Sequence, residues 1–267
     1  MKKYLWLLSI LPIILLSACS SSNDPQNNTS TKDYLPITSG SYWVYNQYTI
    51  DSLNQRANPS IPTLDSTIIT GTESKLSKTA TVFQNFINTN NTGYVKSSNW
   101  YFYKENSNIS VFSGLINEMI GIDKLPVKLP FAVEDKWLLV LDNQNTKWNV
   151  YTKQITNDSV TYNDIKGVFT GTLKIDAEKI GSESITVGSK SITTQKIKYV
   201  ITVTGNATIS AFPIPLPVSL NGNFYFWFGE DVGLTKLLLE SQTISVTGLA
   251  PQRLDGKEQV LLRYLIK

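Results

Sequence analysis

Along this chain apolar residues recur at every second position more often than at any helical spacing, in segments rich in Thr, Val, Ile, Tyr and Phe. That period marks strands with one face buried and the other wet. The clearest run sets Ile197, Tyr199, Ile201 and Val203 on one face and Lys196, Lys198, Thr202 and Thr204 on the other. Leu173, Ile175 and Ala177 alternate likewise with Lys174, Asp176 and Glu178, and Val260, Leu262, Tyr264 and Ile266 predict a third buried row. Further strands are predicted over residues 41–50, 66–71, 79–87, 94–104, 109–112, 137–141, 147–152, 224–228 and 234–246. Asn91-Thr92-Gly93, Asn163-Asp164, Gly205-Asn206 and Asn221-Gly222-Asn223 predict turns between them. Helical spacing is confined to residues 113–122, where Leu115, Met119 and Ile122 share a face. The strands lie too close together for crossover helices. The pattern therefore predicts an all-β domain of about ten to fourteen antiparallel strands. A curved sheet rolled into a half-barrel or barrel is the first choice and a β-sandwich the alternative. No repeat of fixed period is visible, which argues against a propeller or β-helix.

The amino end has a different pattern. Lys2 and Lys3 precede a nearly unbroken apolar run over residues 4–16, and the small residues Ser17 and Ala18 follow. This is the layout of a secretory signal, and the run falls short of the ~20 residues that span a bilayer. Leu16-Ser17-Ala18-Cys19 resembles the lipobox of bacterial lipoproteins. The resemblance implies cleavage before Cys19 and fatty acylation of that cysteine with several chains, and two or more chains are what a stable membrane anchor needs. Residues 20–32 are a polar tract with nothing to bury, suited to a flexible tether. The expected organisation is a signal peptide at 1–18, a tether at 19–33 and a single β domain at 34–267. Ser20, directly after Cys19, resembles an outer-membrane sorting context. The expected location is the cell envelope, on the outer membrane facing the periplasm, with surface display as the alternative.

Composition narrows the chemistry. There is no histidine, and Cys19 is the only cysteine. A Ser-His-Asp or Cys-His arrangement cannot be built, nor can a zinc site of paired histidines or four cysteines. The phosphate-cradling and nucleophile-elbow glycine motifs are also missing. The net charge is only +3, with no block of one sign, so no nucleic-acid partner is expected. No cofactor or metal is expected either, and the chain reads as a non-enzyme. Carboxylate chemistry would begin at the adjacent pairs Glu134-Asp135 and Glu230-Asp231. Neighbours on a strand point to opposite sides, so these pairs are expected to be solvated turn charges.

Three short segments carry a family resemblance. Residues 34–45, reading YLPITSGSYWVY, resemble the "Y-x-P-L-x-x-G-N-x-W-x-Y" opening of a broad group of uncharacterised bacterial lipoproteins, with Ser41 in place of Asn. Asp231-Val232-Gly233-Leu234-Thr235-Lys236 resembles their "G-V-G-L-V-K" late motif. Residues 128–137, reading KLPFAVEDKW, are similar to "L-P-L-x-x-G-D-x-W", with Glu134 where glycine is usual. The resemblance implies a half-barrel of the lipoprotein-carrier type, able to wrap an apolar cavity, and transfers no catalytic residue. On the residues alone, Gly40 and Gly233 suit turns of positive φ, and Trp43, Tyr45 and Trp137 suit aromatic core positions.

One stretch stands out as a candidate site. Phe212, Ile214, Leu216 and Val218 alternate with prolines that cannot donate to a sheet ladder. They predict extended, polyproline-like backbone forming a hydrophobic lip that binds an apolar ligand or gates a cavity, or else a loop packed over one end of the sheet. Residues 125–131 form a second apolar, proline-bearing segment that could line the same opening. The expected function is a membrane-anchored, non-catalytic envelope protein that binds an apolar or amphipathic ligand or another envelope component. A surface module binding glycan or protein through its six tryptophans and thirteen tyrosines is the alternative, and a carboxylate-dependent hydrolase ranks third.

Overall fold

The alternating runs become strands of one continuous antiparallel sheet. In the computed structural model the described residues are 32–57, 62–88, 92–120, 127–128, 132–162, 165–210, 212, 214–248 and 250–267. The expected signal peptide, Cys19 and the tether up to residue 31 lie outside them. In chain order the strands are β1 (Tyr42–Ile50), β2 (Thr63–Lys75), β3 (Lys78–Asn88), β4 (Val95–Glu105) and β5 (Asn108–Phe112). Helix α1 (Gly114–Ile120) follows, then β6 (Val127–Lys128), β7 (Trp137–Leu141), β8 (Lys147–Tyr162), β9 (Ile165–Val187) and β10 (Lys190–Ile209). The chain ends with β11 (Leu216–Gly229), β12 (Gly233–Leu239), β13 (Gln242–Val246), β14 (Gln252–Leu254) and β15 (Gly256–Leu265).

The hydrogen-bonded order is β6-β8-β9-β10-β11-β12-β15-β1-β2-β3-β4-β5-β7, with β13 added to β11 and β14 to β13. Strand β7, at one end of this path, lies beside β8, at the other. The Trp148 indole of β8 donates to the Leu139 carbonyl of β7 at 2.8 Å, and the Tyr199 hydroxyl of β10 donates to the Val140 carbonyl. The sheet is thus nearly closed into a barrel, and the sandwich alternative does not apply. Burial drives the closure: the inward rows Ile197, Tyr199, Ile201 and Val203 and Leu173, Ile175 and Ala177 are buried as their alternation predicts.

Other expectations need correcting. Gly205-Asn206 and Asn221-Gly222-Asn223 are not turns; they lie inside β10 and β11. Gly205 faces Gly171 of β9, and a Cβ on either would come within 2.6 Å of the Phe169 ring. These glycines make room for a buried aromatic side chain. The row Val260, Leu262, Tyr264 and Ile266 does not run in phase. Between the pairs Val44↔Arg263 and Tyr45↔Leu261 one residue is extra, and this β-bulge turns Leu262 out, leaving it 41% exposed while Leu261 is buried. Beyond the bulge, Tyr264 and Ile266 pack against the core. The run 234–246 divides into β12 and β13 at Glu240 and Ser241, where the Asn223 amide donates to Glu240 at 2.8 Å. Fifteen strands result among the described residues, more than the number predicted, because breaks of this kind and the short β6 and β14 leave no mark in the alternation.

Candidate functional site

The barrel interior is unevenly filled. On the wall of β9, β10 and β11 the inward positions carry Phe169, Tyr199, Phe224, Phe226 and Phe228, all buried. Tyr199 stacks on Phe224 with ring centroids 4.5 Å apart. On the opposite wall the inward rows start apolar and turn polar. In β1, Trp43 and Tyr45 give way to Gln47 and Thr49; in β2, Ile69 gives way to Thr67 and Asp65; in β3, Phe83 to Asn85; in β15, Leu261 to Gln259 and Lys257. Short polar side chains fill less of the lumen than rings do. A cavity of about 550 Å³ opens at the end of the barrel where β1 and β12 finish and β15 begins.

One side of this cavity is apolar, formed by Ile87, Trp100, Met119, Leu237 and Leu239, and the other carries Gln47, Glu118, Gln242, Lys257 and Gln259. Helix α1 closes part of it. Its Leu115, Ile116 and Met119 are buried, and the Asn117 amide exchanges hydrogen bonds of 2.9 and 2.8 Å with the Val133 backbone. The Trp100 indole then donates to Glu118 Oε2 at 3.0 Å, which fixes the carboxylate at the mouth.

Behind the polar side is a buried network. The Gln259 amide nitrogen donates to Asp65 Oδ2 and, at 3.5 Å, to Gln47 Oε1. Lys257 Nζ stands 3.8 Å from Asp65 Oδ2. Burial pushes the Asp65 carboxyl above its ordinary value; Lys257 and the bond from Gln259 pull it back only in part, and the Glu118 charge adds to the rise. Asp65 Oδ1 and Gln242 Oε1 are buried acceptors without a hydrogen-bond partner. Among the described residues no group of three or more Asp and Glu side chains forms a metal cradle.

The residues singled out in the sequence are dispersed. Leu216 and Val218 are in β11, buried to 7% and 3% exposure, and Phe212 packs partly buried against the core. Only Ile214, 65% exposed, is free to form a lip. The hairpin that carries it lies at the same end of the barrel as the cavity, but none of the four lines it. Polyproline-like backbone is not what Leu216-Pro217-Val218 adopts: these residues pair with β10, and Pro217 contributes its carbonyl to Thr247. Of the second apolar segment only Val127 and Lys128 are described, paired with Thr161 and Tyr162. Glu134 faces Lys153 at 3.6 Å and Glu230 faces Lys32 at 3.3 Å, both on the surface and not in the cavity.

The opening and late motifs do meet. The Trp43 indole donates to the Val232 carbonyl at 2.7 Å, and the Tyr45 hydroxyl donates to the Leu234 carbonyl at 2.8 Å. Gly40 and Gly233 have φ of 82° and 92°, as turns of positive φ require. Trp137 is not in the core; it lies half-buried on the outer surface against Tyr103 and Phe112. The cavity residues escape sequence reasoning because a polar residue in a strand is assigned to the wet face. Their signal was phase: Gln47 shares parity with Trp43 and Tyr45, and Asp65 with Thr67 and Ile69.

No family model matches the chain, and no curated protein matches it. Solved structures give distant likenesses. A Parabacteroides distasonis protein, provisionally named a lipoprotein, is 16% identical over 88% of this chain and 99% of its own, with a TM-score of 0.46. A Bacteroides fragilis protein, provisionally named an exported protein with a YmcC-like fold, is 12% identical over 88% and 99%, with a TM-score of 0.43. A loop-deletion form of the Vibrio cholerae outer-membrane protein OmpT is 9% identical over 84% and 97%, with a TM-score of 0.24. At these scores the fold rests on the chain's own strand pairings.

Proposed function

We propose that this chain is a lipid-anchored envelope protein, held by Cys19 on the outer membrane facing the periplasm, that binds a small amphipathic molecule in the barrel without transforming it. The two-sided lining of the 550 Å³ cavity carries this reading, since its size is that of a small-ligand site and its apolar and amide-rich sides match the two ends of an amphiphile. The sequence Leu16-Ser17-Ala18-Cys19 supports the anchor, and the lack of histidine and of any thiol besides Cys19 supports binding over catalysis. Lys32 and Asp33 are pinned at the end of the barrel away from the cavity, through Glu230, through Lys104 at 2.6 Å and through the Asp231 amide. The mouth therefore opens at the end of the barrel opposite Lys32 and Asp33.

The test is to purify the full chain from membranes in mild detergent and analyse its organic extract by mass spectrometry. A single amphiphile at near-equal molar amount is expected, and Leu239→Arg, which puts a long charged side chain into the apolar side, should lose it. An extract with no such molecule, or one unchanged in Leu239→Arg, sinks the cavity as the binding site. Metabolic labelling with a palmitate analogue tests the anchor separately, since it should mark the parent chain and leave Cys19→Ala unmarked.

A further inference from the structure

The polar side of the cavity wall combines uncharged amides and hydroxyls with charges of both signs, and that bears on which amphiphile it takes. The Gln259 amide nitrogen is committed to Asp65 and Gln47, so Gln259 is left with a carbonyl oxygen to offer. Gln242, 2% exposed and part of the lining, holds its Oε1 without a partner. Glu118 has given one oxygen to the Trp100 indole and keeps the other. Gln242 Oε1 is closed off from the cavity space, whereas Glu118 and Gln259 share the lining with the donors of Gln47, Thr49 and Lys257, so a head group that both donates and accepts matches the wall. Charge narrows the choice further. The lining carries Glu118 and Asp255 against Lys257 and Arg253, so an ammonium head meets two lysine or arginine charges and a carboxylate head meets Glu118 and Asp255.

We infer that the head group recognised here is neutral and rich in hydroxyls, the chemistry of a sugar or glycerol head, joined to a single apolar chain. The inference rests on the cavity-binding reading above. Hydroxyls donate to Glu118 and Gln259 and accept from Gln47 and Lys257, while the chain lies along Ile87, Met119, Leu237 and Leu239. Size agrees: at roughly 30 Å³ per water-sized group, the 550 Å³ cavity has room for about eighteen such groups, which one sugar ring and an octyl chain fill.

The experiment is calorimetric titration of the full chain in phosphatidylcholine nanodiscs, with empty nanodiscs as the blank. The probes are octyl-β-glucoside, octanoate and octyltrimethylammonium, all below micellar concentration. The glucoside is expected to bind about tenfold tighter than either charged probe, the worth of one or two hydrogen bonds. Gln47→Leu and Gln259→Leu should each remove most of that preference while chain binding persists. Glu118→Gln, at an exposed position, should strengthen octanoate binding about threefold by removing a like charge. A charged probe that binds tighter than the glucoside, or a preference untouched in both glutamine variants, overturns the head-group assignment and leaves cavity binding standing. If none of the three probes binds, the cavity itself is not the site.

Discussion

Asp65 and Glu258 are carboxylates less than a tenth exposed at the side chain, and their surroundings act on them in opposite senses. Asp65 faces the lumen, where burial outweighs Lys257 and Gln259 and its proton is held more tightly than in an unfolded chain. Its stabilising share is fully present below its ordinary value of 3.8 and is lost as pH rises through the higher folded-state value. Glu258 is on the outer face. Burial pushes it up, but Lys236 at 2.8 Å and Arg56 at 2.6 Å more than reverse this, and its carboxyl ends below the ordinary range. Its share is present above 4.5 and is lost as pH falls through the folded-state value. Denaturation curves of two isosteric variants at neutral and at acid pH separate the two. Asp65→Asn should be more stable than the parent at neutral pH and lose that advantage in acid. Glu258→Gln should be less stable at neutral pH by about 2 kcal/mol, the cost of losing charge-assisted hydrogen bonds, and match the parent in acid. Parallel pH profiles for the two variants would contradict this assignment.

At the scale of elements, β9 and β10 show what the alternation reveals and what it hides. Their buried rows are readable from the sequence because a half-buried strand writes its two faces at alternate positions. The polar inward residues are not readable in the same way: Gln47 and Gln259 line the cavity, Asp65 and Asn85 are buried behind it, and their chemical type mimics that of the wet face. Glycine misleads differently. Gly205 resembles a turn, yet it is a strand residue whose missing Cβ admits the Phe169 ring, 0% exposed, above the Gly171–Gly205 pair. A Cβ at either glycine would also meet a backbone carbonyl of the facing strand at 2.3 Å. Gly171→Ala and Gly205→Ala should each cost about 2–3 kcal/mol by overpacking. The double variant should cost less than the sum, because the same ring is displaced once. Strict additivity in urea unfolding would show that the ring does not couple the two sites.

For the barrel as a whole, the question is what closes it. The ladder runs from β6 and β8 round to β5 and β7, and the upper parts of β7 and β8 meet through side chains, with no backbone register between them. Trp148 reaches the Leu139 carbonyl, and Tyr199 reaches across the lumen to that of Val140. Burial pushes the Tyr199 hydroxyl well above its usual value, so it stays protonated and remains a donor at neutral pH. A closure made of side-chain bonds is the place where this sheet should open first, since the rest of the circuit is stapled by continuous backbone ladders. Tyr199→Phe removes one bond and leaves the Val140 carbonyl unsatisfied inside the protein, which should cost about 1–3 kcal/mol. The loss should be local in its dynamics. Hydrogen exchange is expected to quicken at the amides of β5 and β7, whose protection depends on the seam, and to stay near the parent rate in β10 and β11, long strands with backbone ladders to neighbours on both sides. Uniform acceleration through all strands would mean that the ring opens as one cooperative unit, and the seam would then have no special place in its stability.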